Sequence, residues 1–398
     1  MRSRHLRSLV VALAWAALAA PAAAASPPAQ PRSGAGGVSN PDAEVVKRAV
    51  GRTGTATYVY HLAGEPAEPR TVVVVFHGWG AVNPMTYGGW IDHLARRGHL
   101  VLFPSFQQVG RTRPVEATAV AAGLVKDALA ELRSDRVARP NLDRVAYLGH
   151  SAGAAIAVNL AATARARELP VPRLVFATMP GGIASDEKAR GILLEDLGGV
   201  DPATAIVTMI GDREFQAADR ASRRILREAS NVPPGRKLFM RSGSDDHGFP
   251  SLAATLASPG SPKEAYDVAA IKLPPEPPVD PRSRIQRPKW SADMVLTGEQ
   301  QVLVGQLTRN VTDTLDYLAY WKTFDMTLAA VAGGSGDFAA VRSDPAFVDM
   351  GRWSDGWPVR RLYAEVPKAE AAPAAARLAP SPTKMPVTNQ RRQSSRSR

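Results

Sequence analysis

The sequence predicts a doubly wound α/β sheet, mainly parallel, with helices on both faces. Two observations carry that expectation. Short apolar runs such as Thr71–Phe76 and Ala205–Ile210 alternate with longer stretches of helical spacing, as in a chain of βα units. The stretch from Asp143 to Ala157 reads strand, sharp turn, helix, with Gly149-His-Ser151-Ala-Gly153 at the turn. On such a sheet, ligands bind beyond the carboxyl ends of the strands.

Each element follows from local pattern. Ala43–Ala49 reads as a short helix, and Thr55–Leu62 alternates and is β-rich, as a strand should be. Thr71–Phe76 is the clearest buried strand and runs into His77-Gly78-Trp79-Gly80. Tyr87–Arg97 is a helix with Ile91 and Leu94 inward, ended by Gly98. His99–Pro104 is a strand, and Pro114–Arg133 a helix with Val120, Leu124, Ala128 and Leu132 on one face. Val145, Tyr147 and Leu148 mark the strand before the Ser151 turn; Ala152–Ala166 is Ala-rich and suits a packed helix. Arg173–Thr178 and Ala205–Ile210 are strands, Ala217–Ser230 is a helix, and Arg236–Arg241 is the last strand expected. Val311–Ala330 is a long amphipathic helix with Leu315, Leu318, Trp321 and either Ala319 or Tyr320 turned to the sheet.

Composition bounds the rest. At 398 residues and 45% hydrophobic, the chain can bury a sizeable core. The net charge of +12 sits mostly at the ends, in Arg2, Arg4 and Arg7 and in the basic stretch after Pro367, so it argues little about partners of the body, and no nucleic-acid partner is expected. Residues 1–25 read as a signal peptide: basic residues, the apolar run Leu9–Ala20, then Ala23-Ala24-Ala25 before a cleavage point near Ser26. That run is short for a membrane span, so a secreted or periplasmic protein with no stable span is expected. Cysteine is absent, which excludes disulfides, thiol catalysis and Cys-ligated metal. Residues 26–42 are Pro, Gly, Ser and Ala and read as a flexible linker; 43–365 form the folded domain, with a Pro-rich excursion over 258–308. Residues 366–398 read as a disordered basic tail.

Ser151 is the candidate nucleophile. A Ser between strand and helix in a strained turn holds its Oγ clear of the backbone, and Gly149 and Gly153 leave room for it. The N–H of Ala152 opens a helix and suits an oxyanion donor. A nucleophilic Ser needs a base, and His247, in Ser242-Gly-Ser-Asp-Asp-His247-Gly, is the only His after Ser151. The base needs a carboxylate, and Asp212 and Glu214 both follow Gly211. Asp245 and Asp246 are too near His247 in sequence and are read as shaping its loop.

These motifs (H-G-W-G, G-H-S-A-G, G-D-R-E and D-H-G, between Val72 and Pro250) resemble the α/β-hydrolase superfamily, carboxylesterase and lipase type. There is further similarity to chlorophyllase-like and dienelactone-hydrolase-like members. The resemblance implies the α/β-hydrolase fold and cofactor-free hydrolysis of a small-molecule or lipid ester through an acyl-enzyme on Ser151. It implies Trp79 as second oxyanion donor, with Gly80 as the alternative. Its acid loop often reads G-D-x-D with the fourth residue as acid. That favours Glu214 over Asp212, although Glu stands where Asp is commoner. Peptidases, acyltransferases and fold-retaining binding proteins share the superfamily and remain alternatives.

No P-loop, G-x-G-x-x-G or H-E-x-x-H is present, so no cofactor or metal is expected. His77 and His150 are read as loop supports. Phe338–Tyr363, with Met350-Gly-Arg-Trp-Ser-Asp-Gly-Trp-Pro358, is turn-rich and aromatic and reads as a sugar-binding loop or a cap on the fold. The sequence leaves the oligomeric state open.

Overall fold

The computed structural model describes residues 24–51, 55–186, 188–213, 216–271, 299–334 and 336–367. The expected signal segment up to residue 23, Glu214, the Pro-rich stretch 272–298 and the tail 368–398 lie outside the described residues.

Among the described residues, nine strands form one sheet in the order β1-β2-β4-β3-β5-β6-β7-β8-β9. The strands are β1 (Val45–Val50), β2 (Thr57–Leu62), β3 (Arg70–Phe76), β4 (Leu100–Pro104), β5 (Pro140–His150), β6 (Leu174–Thr178), β7 (Ala205–Ile210), β8 (Lys237–Arg241) and β9 (Tyr363–Glu365). From β4 through β8 all neighbours are parallel. β1, β2 and β9 add antiparallel pairs at the two margins.

The apolar strands are continuous because both faces are covered. Val73 and Val75 of β3 point into one core layer; Val72, Val74 and Phe76 point into the other. The first layer is closed by α1 (Gly88–Arg96), through Trp90, Ile91 and Leu94, and by the C-terminal helix, through Tyr320, Phe324 and Leu328. The second is closed by α2 (Pro114–Leu132), α3 (Ala152–Ala162) and α4 (Gln216–Glu228). Every residue of α3 from Ala152 to Ala161 is buried, so small side chains let it lie close to β5 and β6.

Several expectations need correction. Residues 45–50 form β1 rather than a helix; pairing with β2 along six registered residues outweighs local propensity. Arg236–Arg241 is not the last strand, because β9 pairs with β8. The long helix begins later than Val311: Asp313 Oδ1 accepts the Leu315 N–H at 2.7 Å and Asp316 accepts the Asp313 N–H at 2.8 Å, closing its start. It opens as a π turn over Leu315–Trp321 and continues as an α-helix over Lys322–Ala332, the latter labelled α6 below. The excursion contains a helix, α5 (Glu299–Arg309), whose Leu303 and Leu307 are buried.

Residues 26–42 are not a free linker. The Pro28 carbonyl accepts from Thr314 Oγ1 at 2.8 Å and from the Tyr317 hydroxyl at 2.5 Å. The Gly36 N–H donates to Asp325 Oδ2 at 2.8 Å, and Asn40 Nδ2 donates to the Arg96 carbonyl at 2.7 Å. Side chains distant in sequence thus supply the partners that the Pro/Gly composition lacks. No helix among the described residues is long and apolar enough to cross a membrane.

Candidate functional site

Ser151 stands at the carboxyl end of β5 and directly before α3. Its backbone lies at φ 52°, ψ −117°, a sparsely populated conformation for a residue with a side chain. The neighbours explain how the turn closes. A Cβ on Gly153 would fall inside the Phe76 carbonyl, and one on Gly149 would meet the Gly153 carbonyl. The strain is held by hydrogen bonds on both sides: the Ser151 N–H donates to the Thr178 carbonyl at 3.0 Å, and the Ser151 carbonyl accepts from the Gly181 N–H at 3.2 Å. The hydroxyl itself makes no hydrogen bond among the described residues, and Gly181 faces it.

Two candidate oxyanion donors differ in what they already do. The Gly80 N–H donates to Gln107 Oε1 at 2.6 Å. The Trp79 N–H has no acceptor among the described residues. Ala152 opens α3, where N–H groups have no intrahelical acceptor. The Trp79 side chain is buried in the second core layer. Leu303 and Val304 of α5 lie over Gly78 and Gly80.

His77 and His150 support these loops, as expected. Burial pushes both imidazoles down to about 4, so both are neutral near pH 7. His150 Nε2–H donates to the Leu256 carbonyl at 2.8 Å, so its Nδ1 is the acceptor for the Tyr87 hydroxyl at 2.8 Å. Tyr87 in turn accepts the Gly78 N–H at 3.0 Å. His77 is stacked on Phe106 with centroids 3.9 Å apart.

Asp212 and His247 make their hydrogen bonds with other partners, and Glu214 lies outside the described residues. Asp212 follows β7, where both of its carboxylate oxygens are engaged by Ser244, by the N–H at 2.8 Å and the hydroxyl at 2.5 Å. His247 sits at the tip of a short hairpin in which Asp245 and Leu252 exchange backbone hydrogen bonds. No hydrogen bond joins His247 to Ser151 or to Asp212 among the described residues. Its Nε2 meets Asp355 Oδ2 at 2.7 Å, and its ring stacks on Trp357 at 5.5 Å and 14°. Sequence reasoning did not single out Asp355. It stands 108 residues after His247 in the turn-rich Met350–Pro358 loop, and only the aromatic content of that loop marked it. Asp245 shapes the His247 loop as expected, accepting the His247 N–H at 3.1 Å.

A cavity of about 670 Å³ lies elsewhere. Asp143, Arg173 and Ala203 line it beside the amino-terminal ends of β5, β6 and β7, opposite to where ligands bind on such a sheet. Its Lys126 and Arg165 are already paired with Glu168 and Asp201.

No curated protein matches the chain in sequence. Among solved structures, carboxyl esterase 2 from the fungus Tuber melanosporum is 17% identical, covers 52% of this chain and 79% of its own, and superposes with a TM-score of 0.38. An α/β hydrolase from a Medee basin deep-sea metagenome is 19% identical, covers 52% and 84%, and also gives 0.38. Esterases from Rhizomucor miehei give 12% identity, 50% and 75% coverage, and 0.39. Residues 71–201 match the family model described as alpha/beta hydrolase fold. Strand order, the strained Ser151 turn and that match together make this chain an α/β-hydrolase in fold.

Proposed function

We propose that the chain is an exported serine hydrolase acting on carboxylic esters. Ser151 Oγ attacks the ester carbonyl, and His247 takes the hydroxyl proton and returns it to the leaving alkoxide. The Ala152 and Trp79 N–H groups stabilise the oxyanion, and water then releases the acyl group from Ser151. The single observation that carries this reading is the backbone of Ser151. A strained conformation, walled by two glycines that admit no Cβ, is retained at the carboxyl end of a central strand. A cap residue at an ordinary strand–helix turn needs none of this.

Export rests on the sequence of residues 1–25. N-terminal sequencing of the secreted product tests it; an intact residue 1 on protein outside the cytoplasm removes the cleavage.

One observation favours a second reading. His247 is bonded to Asp355 and not to Ser151, as in a binding protein that keeps the fold without the chemistry. A fluorophosphonate probe separates the two. Covalent labelling that is lost in Ser151→Ala supports the enzyme; no labelling of the folded wild-type chain supports the binder. A panel of p-nitrophenyl esters against peptide amides and acyl acceptors then divides esterase from peptidase and acyltransferase.

A further inference from the structure

We infer that Asp355 is the positioning carboxylate of His247, so that the working groups run Ser151, His247, Asp355 along the chain. The inference rests on the reading of Ser151 and His247 as nucleophile and base. It departs from the acid expected after β7.

The pair is built rather than accidental. His247 Nε2–H donates to Asp355 Oδ2 at 2.7 Å, while Asp355 Oδ1 accepts the Trp357 N–H at 3.0 Å, which fixes the carboxylate plane. Trp357 stacks on one side of the imidazole, and Trp353 approaches at 5.7 Å and 56°. Asp245 ties the two loops together: Oδ1 accepts the His247 N–H, and Oδ2 accepts the Arg360 N–H at 2.8 Å and Trp353 Nε1–H at 3.3 Å. The N-terminal arm closes the same loop from outside, since Ser26 and Ser354 bond each other twice, at 2.9 Å each. The Trp357 N–H and then His247 hold the Asp355 carboxyl below the usual carboxylate range, so it is ionised near neutrality.

Asp212 instead accepts from Ser244 on both oxygens, and Arg360 Nη1 lies 3.7 Å from its Oδ2. A carboxylate on Nε2 keeps a proton there and leaves the Nδ1 lone pair to receive the Ser151 proton. The imidazolium so formed carries its charge against Asp355, and Nδ1–H returns the proton to the leaving alkoxide. The pair is partly open to solvent, with side chains 30% and 47% exposed, and exposed ion pairs add little stability. Substitution of Asp355 therefore leaves the fold intact, which makes the role testable.

The test compares Asp355→Asn, Asp355→Glu, Asp212→Asn and Glu214→Gln in the full chain. Each variant is read by p-nitrophenyl ester turnover and by the 15N NMR signature of the His247 tautomer. Asp355→Asn is expected to lower kcat by roughly 10²–10⁴-fold with little change in KM. It is also expected to release the proton from His247 Nε2, so that the neutral ring shifts toward the Nδ1–H tautomer. Asp355→Glu recovers part of both. Wild-type kcat and an unchanged His247 tautomer in Asp355→Asn overturn the inference. So does a larger loss with a shifted His247 in Asp212→Asn or Glu214→Gln. If the wild-type chain neither turns over esters nor reacts with a fluorophosphonate, the enzymatic reading fails, and the His247 tautomer still decides the pairing by itself.

Discussion

The Tyr87 hydroxyl donates to His150 Nδ1 at 2.8 Å and accepts the Gly78 N–H at 3.0 Å, so the loop after β3 and the turn after β5 are one hydrogen-bonded unit. All three residues are buried. Tyr87→Phe keeps the ring and deletes the oxygen, leaving the Gly78 N–H and His150 Nδ1 unpaired. The expected cost is about 1–3 kcal/mol in urea unfolding. Trp79 follows Gly78, so its N–H loses its aim, and ester turnover should fall roughly tenfold, mainly in kcat. Unchanged stability in Tyr87→Phe would show that the two turns stand independently.

Acidification is expected to unfold the protein through the same residues. His77 and His150 ionise at about 4 in the folded chain, against an ordinary value of 6.5, because burial disfavours the charged ring. Between those values the unfolded chain binds protons that the folded chain refuses. Stability therefore rises with pH across this window and is lost as pH falls from about 6.5 toward 4. Each imidazole contributes at most roughly 3 kcal/mol to that loss. Urea midpoints measured from pH 7 to pH 4 check it. A flat profile means that the rings are charged in the folded state.

The sequence exposes the features whose cause is local. Val72–Phe76 reads as a strand because both its faces are buried, and Gly149-x-Ser151-x-Gly153 reads as a tight turn because its glycines are sterically required. Features caused from a distance stay hidden. The Pro28–Asn40 arm looks like a linker until Thr314, Tyr317 and Asp325 supply its partners. Val45–Val50 becomes a strand only because β2 offers an edge. Asp355 is an ordinary exposed turn residue until the fold brings His247 to it.

Two truncations separate the tail from the sheet. Removing residues 368–398 should leave the melting temperature unchanged, since that sequence offers little apolar surface to bury. Cutting before Tyr363 removes β9, its pairing with Phe239, Met240 and Arg241, and the Glu365 contacts to Arg223 at 3.0 and 3.3 Å. About 2–3 kcal/mol of stability should go with it, and the bare edge of β8 should promote association. Equal melting temperatures for the two products would make β9 dispensable.

Ser151→Gly should separate stability from function at a single position. The residue sits at φ 52°, ψ −117°, where a Cβ is strained and glycine is not. Its side chain makes no hydrogen bond among the described residues, so deleting the hydroxyl forfeits no intramolecular partner. Glycine gains conformational freedom in the unfolded chain, which offsets part of the relief. The net expectation is a folded protein more stable by about 1 kcal/mol, with fluorophosphonate labelling and ester turnover lost. Ser151→Ala loses the same chemistry but keeps the strained Cβ, so it should match the wild type in stability. The difference between the two variants isolates the backbone strain from the loss of the oxygen. If Ser151→Gly is no more stable than Ser151→Ala in urea unfolding, the turn is relaxed, and the conformation of Ser151 is no longer an argument for a nucleophile.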